Sequence, residues 1–246
     1  MKLERSYNRN ENELRPVDFK TDFYDYTEGS CLVSFGKTKV LCVATIEDNV
    51  PYHMKNTGKG WITAEYAMLP RSSSSRIKRE RPSPSGRSQE IQRLIGRSLR
   101  SVFKNEGWGE RSILVDCDVL QADGGTRTAS ITGAFVAVTT AFRFLQKAGK
   151  ISKNTPFPAR EFLSAVSVGI VNGKCLVDLD YSEDSNADTD MNLVMTSQEK
   201  FVEIQGTAEK EPFEKVVFDE LLEKGRMACN HLCSKQRDLL GDLAWG

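Results

Sequence analysis

A strand that runs into a helix through two adjacent glycines constrains this chain more than any other feature. Ile113, Val115, Cys117 and Val119 alternate with other residues, the period of a strand with one buried face. Ile131, Ala134, Phe135, Val138, Phe142 and Leu145 then recur at helical spacing. Between them lies Gln121-Ala-Asp-Gly-Gly-Thr-Arg-Thr128. Gly124 and Gly125 permit a sharp turn and a close backbone approach. The first turn of the helix offers unpaired N–H groups and a positive dipole end, which together favour an anion. Arg127 adds a planar fork matched to phosphate oxygens. No G-x-x-x-x-G-K-[ST] sequence occurs, so this is not a P-loop. Taken alone, the segment is equally an ordinary strand–helix turn with a solvated arginine.

A second arginine tips the balance. Ser85-Gly-Arg-Ser88 leads into Ile91, Leu94, Ile95, Leu99, Val102 and Phe103, an amphipathic helical pattern. Arg87 therefore also falls at a helix start, where a cation is disfavoured unless an anion shares the site.

Composition sets outer bounds. The 246 residues suffice for one large domain or two small ones, and 39% hydrophobic content is ordinary for a globular chain. The charged start Met1-Lys-Leu-Glu-Arg5 and the lack of a long apolar run predict a cytoplasmic protein with no membrane association. A net charge of zero argues against whole-surface binding to nucleic acid and leaves a local basic patch open. Six cysteines without a C-x-x-C pair are read as reduced, buried thiols, with zinc at His231 and Cys229 or Cys233 a weaker alternative. Two histidines in all make a Ser–His–Asp or Cys–His mechanism a poor fit.

Along the chain, Cys31–Phe35 and Lys39–Ile46 are expected to pair as a hairpin around Gly36-Lys37-Thr38. The arginine- and serine-rich stretch 59–87 is expected to be a flexible excursion. Residues 153–158, Lys-Asn-Thr-Pro-Phe-Pro, break the periodicity and separate a first half, about 10–150, from a second, about 158–235. A second hairpin is expected at Ala165–Val171 and Lys174–Tyr181 around Asn172-Gly173. Strands near Leu193–Thr196 and Phe201–Gln205 follow, and then a helix after Pro212 carrying Val216, Val217, Leu221, Met227 and Leu232. The two hairpins echo one another, since Val40–Asp48 and Leu176–Asp184 both end in Glu-Asp.

Two charged clusters remain. Asp178 and Asp180 are expected on one face of the second hairpin, with Asp184, Asp188 and Asp190 in the loop after it. Carboxylates so crowded repel unless a proton or cation joins them, and an all-oxygen set suits Mg²⁺ or Mn²⁺. A solvated acidic loop explains the same residues. Arg71, Arg76, Lys78, Arg79 and Arg81 read either as solvated surface or as contacts to a phosphate backbone.

Six segments together resemble the ribonuclease PH family. They are residues 29–47, Gly60-Trp-Ile-Thr-Ala-Glu-Tyr-Ala-Met-Leu-Pro-Arg71, Gly86-Arg-Ser-Gln-Glu-Ile-Gln-Arg-Leu-Ile-Gly-Arg97, Asp116-Cys-Asp-Val-Leu-Gln-Ala-Asp-Gly-Gly-Thr-Arg-Thr128, Glu183-Asp-Ser-Asn-Ala-Asp-Thr-Asp-Met-Asn192 and Gln205-Gly-Thr-Ala-Glu209. The likeness runs nearly end to end. It departs at Ala67, where the family usually has glycine, at Ser72–Ser75 and in the loop 81–85.

The resemblance implies an α+β chain with the duplicated ribonuclease PH fold, of the ribosomal protein S5 domain 2-like type, in which two similar β–α halves pack into one compact unit. It implies a phosphorolytic 3′→5′ exoribonuclease that trims transfer-RNA precursors, releases nucleoside diphosphates and runs in reverse as a nucleotidyltransferase. Arg87, Gly125, Thr126 and Arg127 would hold orthophosphate. Asp184 would be the general acid, and Asp184 and Asp190, with Asp178 a weaker candidate, would hold Mg²⁺ or Mn²⁺. Arg71, Arg76 and Arg79 would grip the RNA in a homohexamer, a trimer of dimers. A catalytically silent RNA-binding ring subunit is the alternative, but such subunits lose the site residues that are present here. A nucleotide-binding regulator is a third reading, weakened by the missing P-loop.

Overall fold

A computed structural model describes residues 5–79, 84–152 and 154–244; Arg81, the rest of 80–83 and Lys153 lie outside the described residues. The first half forms a five-stranded sheet from β1 (Val17–Thr21), β2 (Gly29–Phe35), β3 (Thr38–Glu47), β4 (Trp61–Met68) and β5 (Ser112–Gln121), in the order β1-β2-β3-β5-β4. All neighbours are antiparallel except β4 and β5. Helix α1 (Gly86–Val102) supplies the crossover that a parallel pair requires. Helix α2 (Thr126–Lys147) follows β5. The second half forms a four-stranded antiparallel sheet from β6 (Leu163–Val171), β7 (Lys174–Val177), β8 (Thr189–Thr196) and β9 (Phe201–Ala208), in the order β7-β6-β8-β9. The one-turn α3 (Tyr181–Asp184) precedes β8, and α4 (Lys215–Leu240) closes the chain. This is the duplicated α+β architecture that the family resemblance implies.

The core explains the layering. Val40, Cys42 and Ala44 of β3 and Ile113, Val115, Cys117 and Val119 of β5 are buried on the alternation expected of strands. Helix α2 packs against β2 and β3 on one side and β6 on the other. It is therefore buried nearly all round, from Thr126 to Leu145, as a helix enclosed between two sheets must be. By length and composition α2 could cross a membrane, yet 83% of its apolar window lies inside the protein. Close approach depends on Gly133, where a Cβ would stand 2.5 Å from Val33 Cγ1. All six cysteines are buried free thiols.

Several sequence expectations are corrected. The stretch 59–87 is not wholly irregular: Ile62, Ala64 and Tyr66 alternate inward and make Trp61–Met68 a strand. The Asn172-Gly173 turn forms as expected, both residues at positive φ. However, β7 ends at Val177 because Asp178 turns to φ +55. Asp178 and Asp180 thus share no strand face, and the Glu-Asp echo joins a strand end at Glu47 to a helical turn at Glu183-Asp184. Asp190 lies on β8 rather than in a loop. On α4, Val216 and Met227 face solvent, and Leu221, Ala228, Cys229, Leu232 and Cys233 form the buried side.

Candidate active site

The two halves meet at a cavity of about 420 Å³ bordered by Arg87, Gly124, Gly125, Thr126, Arg127, Asp184 and Asp190, with Ser73–Ser75, Asp123, Tyr181 and Asn192 among the rest of its wall. Each part arrives by a different route. Gly125 is the N-cap of α2 at φ +65 and ψ +28, a left-handed conformation that glycine tolerates best. Gly124, at φ +76, leaves no room for a side chain, since a Cβ would stand 2.5 Å from Leu179 O. The glycine pair therefore serves both the turn and the packing of the phosphate loop on the segment that carries Asp184.

Neither α1 nor α2 has an acid in its first turn, so both helix starts keep their positive potential. Arg87 and Arg127 are each the second residue of their helix, and both border the cavity. Arg127 Nη1 donates to Gln205 Oε1 on β9 at 2.6 Å and approaches Glu90 Oε1 at 3.5 Å. Gln205 Nε2 donates in turn to Glu90 Oε1 at 3.0 Å. The Thr126 hydroxyl is bonded at 2.8 Å to the buried Tyr66 hydroxyl. Its contribution to an anion site is therefore its position at the helix start. Burial pushes the Tyr66 phenol above its ordinary value.

Asp184 ends α3 and Asp190 projects from β8. Asp184 is reached by solvent at the cavity rim, yet the protein around it displaces enough water to push its carboxyl above the ordinary range. Asp190 raises it further, while Arg87 and Arg127 oppose the rise. Burial likewise raises Asp190; Arg127 and Arg87 oppose, and Glu209 adds to it. A carboxyl whose proton affinity is raised, placed beside two guanidinium groups, is suited to deliver a proton to a departing oxygen.

The remaining acids do not join this pair. Asp178, the weaker metal candidate, is buried with both carboxylate oxygens bonded to the Arg15 guanidinium, at 2.7 and 3.0 Å, and it does not border the cavity. A carboxylate so occupied is a structural partner. Asp180 caps α3 in a reciprocal box with Glu183, and Asp188 pairs with Lys210. Among the described residues no cluster of three His, Cys, Asp or Glu side chains forms a metal cage.

The exposed Arg71, Arg76 and Arg79 lie on the loop whose serines border the cavity, but do not themselves border it. Arg71 Nη1 donates to Ser74 O at 3.3 Å. The loop is fixed at its base, where Ala122 N donates to Ser72 O at 2.7 Å. Residues whose roles the sequence does not reveal include Gln205, Glu90, Tyr66 and Thr38. Gln205 falls within a family-like segment, but its pairing with a residue 78 positions earlier leaves no local signal.

Known proteins give an independent view. The model of the 3′ exoribonuclease family matches residues 13–143 with its domain 1 and residues 161–227 with its domain 2. The chain is 51% identical over 238 residues to the ribonuclease PH of Solibacter usitatus, covering 96% of this chain and 99% of that one. It is also 51% identical over 242 residues to the ribonuclease PH of Moorella thermoacetica, covering 98% and 96%. In fold it is similar to an Archaeoglobus fulgidus exosome chain solved with RNA bound to the active site, at TM-score 0.77 and 24% identity over 95% of this chain and 92% of that one. Rice Rrp46 gives TM-score 0.76 at 18% identity, over 96% and 100%. Because both family domains fall on the halves that build the cavity, and relatives half identical to it run along nearly its whole length, the chain belongs to the 3′ exoribonuclease family, in its ribonuclease PH group.

Proposed function

We propose that this protein is a phosphate-dependent 3′→5′ exoribonuclease that trims the 3′ ends of transfer-RNA precursors. The observation that carries this reading is the convergence of two helix-start arginines and two carboxylates with raised proton affinity on one cavity. Orthophosphate and an RNA phosphodiester are both anions, so their reaction requires cationic clamps and in-line alignment. Arg127, the amides at the start of α2 and Arg87 hold the orthophosphate. One of its oxygens attacks the terminal phosphorus, and the bond from that phosphorus to the 3′ oxygen of the preceding nucleotide breaks. Asp184 protonates the departing oxygen. The products are a nucleoside diphosphate and an RNA one nucleotide shorter with a free 3′ hydroxyl; excess diphosphate drives the reverse, nucleotidyltransferase, reaction.

Asp190 and the neighbouring Asn192, joined by Asp184 when its carboxylate is ionised, make an all-oxygen donor set suited to Mg²⁺ or Mn²⁺, which commonly takes one or two carboxylates and completes its shell with water and substrate phosphate. Bound there, the cation would neutralise charge that builds on the phosphoryl oxygens. Asp178 is not part of this set.

The proposed assembly is a homohexameric ring, a trimer of dimers, in the cytoplasm, where six buried thiols stay reduced. The arginine loop of one protomer would then serve the substrate of a neighbour. The test is incubation with a 3′-extended transfer RNA, with and without orthophosphate. Nucleoside diphosphates that form only with phosphate are expected. Monophosphates formed equally without it would overturn the reading, and binding without cleavage would assign the protein to the silent ring subunits.

A further inference from the structure

A buried ion pair behind the phosphate loop plays no direct part in the chemistry above. Arg15 precedes β1, and its side chain is wholly enclosed. Nε and Nη2 span the Asp178 carboxylate at 3.0 and 2.7 Å, and the Arg15 backbone N–H donates to the same group at 2.8 Å. The guanidinium continues to the loop: Nη1 donates to Asp123 O at 2.5 Å, and Nη2 reaches Gly124 O at 3.4 Å. The Thr38 hydroxyl donates to Gly124 O as well, at 2.7 Å.

Peptide geometry turns these contacts into a statement about the cavity. A trans peptide is planar, with its C=O and N–H pointing in opposite directions. The carbonyl of Asp123 belongs to the peptide that carries the Gly124 N–H, and that of Gly124 to the peptide that carries the Gly125 N–H. Donors behind the loop hold both carbonyls, so both N–H groups are turned to the other side, where Gly124 and Gly125 border the cavity. Free glycines would sample many orientations here. Asp178 in turn fixes the guanidinium, and its own N–H is held by Ser167 O at 2.7 Å.

We propose that Arg15 and Asp178 form a positioning pair that aims the Gly124 and Gly125 amides at the orthophosphate and sets the phosphate loop against the turn that carries Asp184. The proposal rests on the phosphorolytic reading and extends it to residues outside the cavity.

Arg15→Lys tests it in the full-length chain. Lysine preserves the buried charge opposite Asp178, but a single ammonium cannot span the carboxylate and both carbonyls. The KM for orthophosphate should rise about tenfold, while the KM for RNA stays within about twofold. Arg5→Lys is the control. Arg5 lies in the same buried network, bonded to Glu183 at 2.7 Å and Val177 O at 2.6 Å, but does not touch the loop carbonyls. It should lower the unfolding temperature and leave the phosphate KM within about twofold. Thr38→Val, which removes the donor to Gly124 O and the acceptor of the Asp123 N–H and leaves Arg15 in place, should raise the phosphate KM about threefold and serves if Arg15→Lys does not fold. A phosphate KM unchanged in both Arg15→Lys and Thr38→Val, with only thermal stability reduced, would make the pair purely structural. Wild-type cleavage that ignores orthophosphate would instead overturn the phosphorolytic reading beneath it.

Discussion

Arg127 Nη1 and Gln205 Oε1 stand 2.6 Å apart and join the first turn of α2 to β9, so that a residue of the first half is aimed by one from the second. Glu90 of α1 closes the triangle by accepting from both side chains. Helices α1 and α2 are anchored in the common core, and β9 is held by its pairing with β8 and by the half-buried Val202 packed against that core, so the guanidinium is held before any anion arrives. Preorganisation of this kind is what an electrostatic clamp needs in order to act without reorganising.

The clamp and its support should separate kinetically. Arg127→Ala should lower kcat/KM for phosphorolysis by about 10²-fold, the scale of losing one preorganised charged donor. Gln205→Leu keeps the charge and loses only its orientation, so the phosphate KM should rise about fivefold, the equivalent of one net hydrogen bond. Steady-state rates at varied orthophosphate check both. Equal losses in the two variants would show that Gln205 does more than aim the arginine.

Asp184→Asn should abolish most turnover while RNA binding survives, since shape is retained and the proton is lost. The pH dependence has a definite sign. An acid must be protonated to act, so activity falls as pH rises through the Asp184 pKa, which burial and Asp190 hold above its ordinary value. Asp190→Asn removes the negative neighbour and eases ionisation of Asp184, so the descending limb should move to lower pH. Arg87→Ala removes a cation that favours the ionised form, and the limb should move to higher pH. Asp190→Asn should also demand more Mg²⁺. Rate profiles across pH at saturating Mg²⁺ test the order, and a limb that does not move in either variant would remove Asp184 from the role of acid.

Gly124→Ala addresses the turn itself. At φ +76 an alanine is strained, and its Cβ would stand 2.5 Å from Leu179 O and 2.7 Å from the Asp180 carbonyl carbon, backbone atoms that cannot rotate away. The loop must lift from the segment leading to Asp184. A loss of about 1–3 kcal/mol in unfolding free energy is expected, together with a far larger loss of activity than stability alone would give. Denaturant unfolding and phosphorolysis rates on the same preparation check it.

The legible parts of this molecule were those with a local period or a compact motif. Ile113–Val119 and Ile131–Leu145 gave β5 and α2 because each buries residues at its own repeat, and Asn172-Gly173 gave its hairpin because both positions require positive φ. Strand β4 escaped because Glu65 and the neighbouring basic run made its surroundings polar, although Ile62, Ala64 and Tyr66 alternate inward. Asp178 escaped for another reason. In sequence it is one aspartate among five, and its partner Arg15 lies 163 residues away. Which acid faces a cation and which faces the cavity is decided by tertiary packing, and no spacing records it.

Arg71, Arg76 and Arg79 are exposed, and they sit on the loop that supplies Ser73–Ser75 to the cavity wall without bordering it themselves. Charges placed there cannot stabilise the reacting phosphates of their own site directly, but they can meet an RNA backbone extending away from a site, whether in their own protomer or in a neighbour. Their replacement by alanine should weaken binding of a precursor transfer RNA and flatten its salt dependence, by roughly one in logarithmic slope for each RNA phosphate that is no longer neutralised. Cleavage of a short single-stranded RNA should change much less, because Arg87, Arg127, Asp184 and Asp190 remain in place. Binding titrations at several salt concentrations, beside rates on both substrates, distinguish the outcomes. If the loop acts across a subunit boundary, mixing the triple variant with a subunit inactivated by Arg127→Ala should restore part of the activity on transfer RNA. Restoration in a mixture and its absence in either parent would place the loop in a neighbour's site, whereas equal loss on both substrates would place these arginines in folding or catalysis instead.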